Sequence, residues 1–107
     1  MKEEKLAFLD SEGNTLIGVL NTPTENASET PIMILYHGHL TSKESRTYVQ
    51  LQEGLEKVGI ACFRFDFFAH GESEGNFQDF SLAKSIDGAL SAYELLQAQG
   101  YQTIGLF

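Results

Sequence analysis

Three short, largely apolar runs alternate with two amphipathic segments in this chain of 107 residues. The runs are Ile32–Tyr36, Ile60–Phe65 and Thr103–Phe107, and the segments between them are 46–58 and 82–96. The first run is continuously apolar, which is typical of a strand that is buried on both faces of a parallel sheet. Strands that alternate with helices are joined by right-handed crossovers in almost all proteins. The sequence therefore predicts an α/β fold with a parallel β-α-β-α-β core.

A β-hairpin is predicted ahead of this core. Lys5–Asp10 and Thr15–Leu20 have strand-like patterns, and a turn-forming cluster, Ser11-Glu12-Gly13-Asn14, lies between them. A polar segment, 21–30, then leads to the first apolar run. We expect one domain over 1–107, with five strands and two helices, because a chain of this length supports a single core.

Each helix is expected to bury one apolar face. In the first helix the apolar face comprises Tyr48, Leu51, Leu55 and Val58, and the polar residues, among them Gln52, fall largely elsewhere. Ser81 is the predicted N-cap of the second helix. The apolar face of the second helix comprises Leu82, Ile86, Ala89, Leu90, Tyr93 and Leu96.

Charge and composition argue against several functional classes. Fifteen acidic and seven basic residues give a net charge of −8, and no basic patch for nucleic acid is present. The apolar runs are too short to cross a bilayer, and no apolar signal region follows the charged first residues. We therefore expect a cytoplasmic protein without nucleic-acid or membrane partners. The sequence contains no metal-ligand cluster and no phosphate-cradling glycine motif, so no cofactor is expected.

Two loop motifs follow the first two apolar runs. His37-Gly38-His39 comes after the first run, and Asp66-Phe67-Phe68-Ala69-His70-Gly71-Glu72-Ser73 comes after the second. Parallel sheets bind ligands beyond the carboxyl ends of their strands, where both motifs are placed. The motifs and their separation resemble the N-terminal part of the α/β-hydrolase family. The nearest branch is the one that holds monoacylglycerol lipases, serine aminopeptidases and cinnamoyl or feruloyl esterases. Ala69 stands where the family usually has Gly, so a slightly different loop is expected there.

The resemblance covers nearly the whole chain and implies a fold. The chain would form the first five strands of a three-layer αβα structure, with a sheet order of 1-2-4-3-5 and an incomplete sheet. The strand Thr103–Phe107 would then lie at an edge that normally pairs with a further strand. Because exposed apolar edges promote association, we expect poor stability or self-association through this edge.

The resemblance also implies a chemistry for the two loops. Ester hydrolysis builds a tetrahedral oxyanion, which fixed backbone N–H groups stabilise. By resemblance the donor would be the backbone N–H of His39, and Gly38 would allow the tight turn after the strand. The remaining motif residues would hold the loops in shape: His37, Asp66, His70, Gly71 and Ser73.

The family's nucleophile, acid and base would follow Phe107 and are expected to be absent from this chain. The resemblance thus implies the N-terminal part of a serine hydrolase acting on small carboxylic esters, with thioesters and amides as alternatives. The 107-residue chain alone is expected to be inactive. The other hypothesis is a non-catalytic protein of hydrolase ancestry, either truncated or used for binding.

The G-x-S-x-G pattern at Gly71–Gly75 does not supply the missing nucleophile. In a nucleophile elbow a strand runs directly into the serine, and a helix begins directly after it. Here the strand is expected to end several residues earlier, and 76–79 separates the pattern from the next helix. We therefore expect a structural role for Ser73. Cys62 lies in an apolar strand pattern, where a buried, unreactive thiol is expected.

Overall fold

The computed structural model describes residues 2–23, 29–38 and 40–107. Within these residues it contains five strands and two α-helices: β1 (Lys2–Leu9), β2 (Thr15–Thr22), β3 (Ile32–Tyr36), α1 (Arg46–Lys57), β4 (Ala61–Phe65), α2 (Leu82–Ala98) and β5 (Ile104–Leu106). A short 3-10 helix, Phe77–Asp79, precedes α2. The predicted order of elements is confirmed.

The five strands form one sheet in the order β1-β2-β4-β3-β5. β1 pairs antiparallel with β2, and β2 pairs antiparallel with β4. β3 is parallel to both of its neighbours, β4 and β5. The predicted hairpin, parallel core and sheet order are therefore confirmed, and β5 lies at an edge of the sheet.

The two helices lie on opposite faces of this sheet. Phe65 of β4 belongs to the main hydrophobic core together with Ala92 and Leu96 of α2. The neighbouring residue Arg64 bonds to Gln52 of α1. Successive side chains of a strand point to opposite faces, so the layers are α1, sheet and α2, as expected.

The face that α2 buries agrees only in part with the predicted one: Leu96 is buried as predicted. Its buried residues are small or aliphatic: Gly88, Ala92 and Leu96. Three residues predicted to be buried are more than half exposed: Leu82, Ile86 and Leu90. A Cβ on Gly88 would come within 3.4 Å of Leu16. Small residues on the packed face therefore let the helix lie close to the sheet, a preference that a ranking by hydrophobicity does not detect.

The prediction for α1 also needs correction. Gln52, expected away from the buried face, is only 5% exposed, because its amide bonds to Arg64 and Glu3. Val58, expected on the buried face, is 70% exposed and is the C-cap of the helix.

Strand and helix ends depart from the predictions by a few residues. β1 begins at Lys2 rather than Lys5, because residues 2–4 pair with 20–22 and continue the antiparallel ladder. Residues 2–4 are charged and exposed, so the apolar pattern of the sequence did not indicate this extension. β4 begins after Ile60, whose N–H still donates to the Leu55 carbonyl at the end of α1. The N-cap of α2 is confirmed, since the Ser81 hydroxyl accepts the Lys84 N–H at 3.2 Å.

Candidate active-site loops

The loops after β3 and β4 are joined by hydrogen bonds beyond the carboxyl ends of the two strands. The N–H of Phe67 donates to Nε2 of His37 at 3.0 Å. The N–H of Leu40 donates to Nε2 of His70 at 3.3 Å. These two bonds, which we call the histidine clasp, run in opposite directions between the loops. The structure therefore brings together two histidines that the motifs singled out.

The remaining ring nitrogens fix the protonation state of the clasp. Nδ1 of His37 donates to the carbonyl of Gly38 at 2.7 Å, and Nδ1 of His70 donates to the carbonyl of Phe68 at 2.9 Å. Each ring is thus neutral, with its proton on Nδ1 and its lone pair already accepting an amide. Burial lowers the pKa of His37, which favours the same neutral form. Neither ring is placed to act as a general base.

Lys43 ties the two loops together through a buried ion pair. Its side chain is 1% exposed, and Nζ donates to the carboxylates of Asp66 and Glu72 at 2.7 Å each. Asp66 is fully buried, and its carboxylate also accepts the N–H groups of Lys43 at 2.7 Å and Glu72 at 2.9 Å. Burial alone would lower the pKa of Lys43, but its bonds to both carboxylates outweigh burial and raise it. The hydrogen bond from Lys43, followed by that from Lys5, lowers the pKa of Glu72 to about 2.

Arg64 supports the Lys43 backbone from the α1 face of the sheet. Its side chain is buried, and its guanidinium donates to the Lys43 carbonyl and to the Gln52 amide oxygen, each at 2.7 Å. Carboxylates of Glu44 and Glu3 lie 3.5 and 3.9 Å from it. The sequence interpretation missed Lys43, Arg64 and Gln52. Only Arg64 carried a signal, as a charged residue within an apolar run.

Asp66, Gly71 and Ser73 pack together in the second loop. The Ser73 hydroxyl donates to the Asp66 carbonyl at 2.6 Å and accepts the Ile17 N–H at 2.9 Å. Gly71 has a φ of +50°, and a Cβ there would lie 2.3 Å from the Asp66 carboxylate. Ala69, the departure from the family motif, has a φ of +64°, so an alanine occupies the left-handed region here. The bonds of Ser73 to the backbone leave its hydroxyl proton engaged.

A small cleft opens beside Gly38. Its volume is about 160 Å³, and the described residues that line it are His37, Gly38, Phe67, His70, Phe80 and Ser85. His39, whose backbone N–H is the predicted oxyanion donor, lies outside the described residues. The sequence interpretation did not single out Phe80, which lies just before α2, or Ser85, which lies in its first turn.

The cysteine thiol and the possible metal ligands of the described residues offer no further reactive centre. The Cys62 thiol is free and buried, and burial raises its pKa to about 12. Within residues 2–23, 29–38 and 40–107, no group of three or more His, Cys, Asp or Glu could hold a metal ion. Nor does any helix in this part of the chain have the length and apolar character needed to cross a membrane.

Solved structures share this arrangement of strands and helices. Est1E from Butyrivibrio proteoclasticus, solved with ferulic acid bound, is 29% identical, with a TM-score of 0.85 over 94% of this chain and 41% of its own. The Pyrococcus furiosus esterase Pf2001 is 21% identical, with a TM-score of 0.81 over 98% of this chain and 41% of its own. XC6422 from Xanthomonas campestris, an α/β serine hydrolase without a lid, is 22% identical, with a TM-score of 0.80 over 99% of this chain and 50% of its own.

The chain has a partial α/β-hydrolase fold. It spans between about two fifths and one half of the length of these three hydrolase-fold structures. No protein-family model and no curated protein matches the chain. The structural matches support hydrolase ancestry and confirm the resemblance drawn from the two loop motifs.

Proposed function

We propose that this chain supplies the oxyanion-hole loop of a serine hydrolase that acts on carboxylic esters. The observation that carries the proposal is the bracing of the loop after β3. The histidine clasp holds His37 and Leu40, and the buried pair of Lys43 with Asp66 holds the end of the loop. The similarity to solved esterases supports the same reaction class.

The proposed chemistry depends on a backbone donor that is fixed before substrate arrives. A developing oxyanion is stabilised by N–H groups that need no reorganisation, and removal of one such donor typically slows catalysis by about 10²–10³. We assign this donor to the backbone N–H of His39, which follows the turn at Gly38. The N–H of Leu40 already donates to His70 and is not available to substrate.

The nucleophile, general base and acid of the proposed reaction are not assigned to this chain. The Ser73 hydroxyl donates to a backbone carbonyl, and the raised pKa of Cys62 keeps its thiol protonated at neutral pH. The Nε2 lone pair of each histidine in the clasp already accepts a backbone N–H. We therefore expect residues 1–107 alone to be inactive on esters, thioesters and amides.

The same observation favours a second candidate function. The described residues contain no nucleophile paired with an available histidine base, which is what a non-catalytic protein of hydrolase ancestry would show. Such a protein would be a truncated product or a binding module. The proposed cytoplasmic location is common to both candidates.

The two candidates are separated by reading the gene beyond codon 107 and assaying the product of the whole reading frame. The enzyme proposal predicts a continuation with Gly-x-Ser-x-Gly followed by an acid and a histidine. Its product should hydrolyse p-nitrophenyl esters and react with a fluorophosphonate probe, whereas residues 1–107 should do neither. A stop codon after Phe107 would favour the non-catalytic protein, and ester turnover by residues 1–107 alone would contradict both.

A further inference from the structure

A groove lies between the end of β1 and the middle of α2. Its volume is about 380 Å³, and it shares no described lining residue with the smaller cleft beside Gly38. Phe8, Leu9 and Leu95 supply its apolar lining, and Leu9 is 62% exposed. Small-molecule sites usually have volumes of about 300–1,000 Å³, so the groove is large enough for a small ligand.

Three polar side chains in the lining have no hydrogen bond or ion pair with the described residues. They are the hydroxyls of Ser11 and Ser91 and the carboxylate of Glu94. Ser91 and Glu94 are three residues apart on α2 and therefore lie on the same side of the helix. A ligand can bond to these groups without breaking any hydrogen bond that holds the described part of the fold.

A buried carboxylate supplies a fixed negative charge beside these groups. Asp10 is 6% exposed and lines the same groove. Its Oδ1 accepts the N–H groups of Glu12 and Asn14 at 2.9 Å each, and its Oδ2 accepts the Asn14 side-chain amide at 3.0 Å. Burial alone would raise the pKa of Asp10, but hydrogen bonds from Asn14 and Glu12 outweigh burial and lower it. The carboxylate is therefore ionised at neutral pH.

Other acidic residues flank the groove. Asp87 lies about one turn before Ser91 on α2 and accepts the Ser11 N–H at 3.1 Å. Lys84, whose charge acts on Asp10, is already bonded to Glu12 at 2.6 Å. The whole chain carries a net charge of −8. A groove lined by charges of one sign attracts ligands of the opposite sign, so this lining favours a cation.

We propose that this groove binds a small amphiphilic amine, meaning a primary ammonium group that carries a short apolar chain. The ammonium group offers three N–H donors and a positive charge, which match the carboxylates of Asp10 and Glu94 and the two hydroxyls. The apolar chain would lie against Leu9 and Leu95 and remove their surface from water. A ligand with a carboxylate would be repelled by the same lining. The inference is independent of the proposed hydrolase activity.

Three probes that differ in the head group or the chain test the proposal on residues 1–107. Hexylammonium has both features, hexan-1-ol lacks the charge, and methylammonium lacks the apolar chain. Each is titrated at pH 7 while the backbone amide signals of Ser11, Glu94 and Leu95 are followed by NMR. We expect hexylammonium to shift these signals with a Kd of about 1–10 mM. Hexan-1-ol should bind roughly threefold to tenfold more weakly, and methylammonium at least about tenfold more weakly.

Three variants at exposed positions separate a specific site from general attraction by the charge of the chain. Glu94→Gln removes a carboxylate of the groove and should weaken hexylammonium roughly twofold to fivefold, with no effect on hexan-1-ol. Glu53→Gln makes the same change on α1, outside the groove, and should leave both affinities unchanged. Leu9→Thr shortens the apolar lining and should weaken both probes by a similar factor of about two to three.

Equal affinities for hexylammonium and hexan-1-ol would overturn the proposal, because the groove would then recognise apolar area alone. Equal weakening of hexylammonium by Glu94→Gln and Glu53→Gln would overturn it as well, since the attraction would then be nonspecific. So would the absence of a saturable shift in the millimolar range, or shifts confined to the separate apolar groove that Tyr36 and Leu106 line between α2 and β5. None of these readouts depends on ester hydrolysis, so a failure of the proposed function leaves the test intact.

Discussion

Replacing Lys43 with methionine should destabilise the chain strongly, because it leaves a buried carboxylate without its cation. Lys43 is 1% exposed and Asp66 is fully buried, with Nζ and Oδ2 2.7 Å apart. Methionine has a similar volume, so the loss is mainly electrostatic, and among the described residues Asp66 retains two backbone N–H donors. Removal of one partner of a buried ion pair typically costs about 3–5 kcal/mol. That is a large share of the total stability of about 5–15 kcal/mol for a small domain.

Urea unfolding at pH 7 measures this effect against a control with the same chemical change. Lys57 is exposed at the end of α1, so Lys57→Met should alter the free energy of unfolding by no more than about 0.5 kcal/mol. The double variant Lys43→Met with Asp66→Asn removes both charges and should recover at least about 1 kcal/mol relative to the sum of the single changes. A loss below about 1 kcal/mol for Lys43→Met, or additive single changes, would refute the reasoning.

Three further predictions concern the loops and the sheet edge. Gly71→Ala should lower the free energy of unfolding in urea by at least about 2 kcal/mol more than Gly13→Ala. Both glycines have a positive φ, but a Cβ at Gly71 would meet the Asp66 side chain, whereas one at Gly13 would meet nothing within 4 Å. Equal losses of stability for the two variants would count against the close contact. Burial lowers the folded-state pKa of His37 below 6.5, so the unfolded chain binds more protons and the free energy of unfolding should fall as the pH decreases from 7 to 5. His37→Gln should reduce the slope of the free energy of unfolding against pH over this range. An unchanged slope would contradict the assignment. The apparent mass of the chain in light scattering should rise with protein concentration, because β5 is an open edge of the sheet. Leu106→Lys should reduce this rise. A stable, well-folded monomer at all concentrations would argue against association through β5.

The order of strands and helices could be predicted because the apolar runs are short and are separated by polar loops and amphipathic segments. The preference for right-handed crossovers then predicts the parallel core. The two loop motifs indicate that the candidate site lies at the carboxyl ends of the strands. The cap at Ser81 was predictable for the same local reason, since a side-chain hydroxyl at that position accepts a nearby N–H.

The network around Lys43 could not be predicted in the same way. Its partners Asp66 and Glu72 are 23 and 29 residues away, and nothing near Lys43 in the sequence marks it as buried. The face of α2 that packs on the sheet was predicted only in part: Leu96 is buried as predicted, whereas Gly88 and Ala92 were missed because they are buried through their small size rather than through hydrophobicity. Long-range pairing and close approach of backbones are properties of the folded structure rather than of local sequence.

The histidine clasp has a consequence for anyone who redesigns this part of the fold by grafting. Each loop receives one of its hydrogen bonds from the opposite loop, through His37 in one direction and His70 in the other. A graft that replaces only the segment after β3 would therefore strip an acceptor from the Phe67 amide, in a loop whose own sequence was left untouched. Libraries that vary the two loops as a matched set should yield more ordered variants than libraries that vary either one alone.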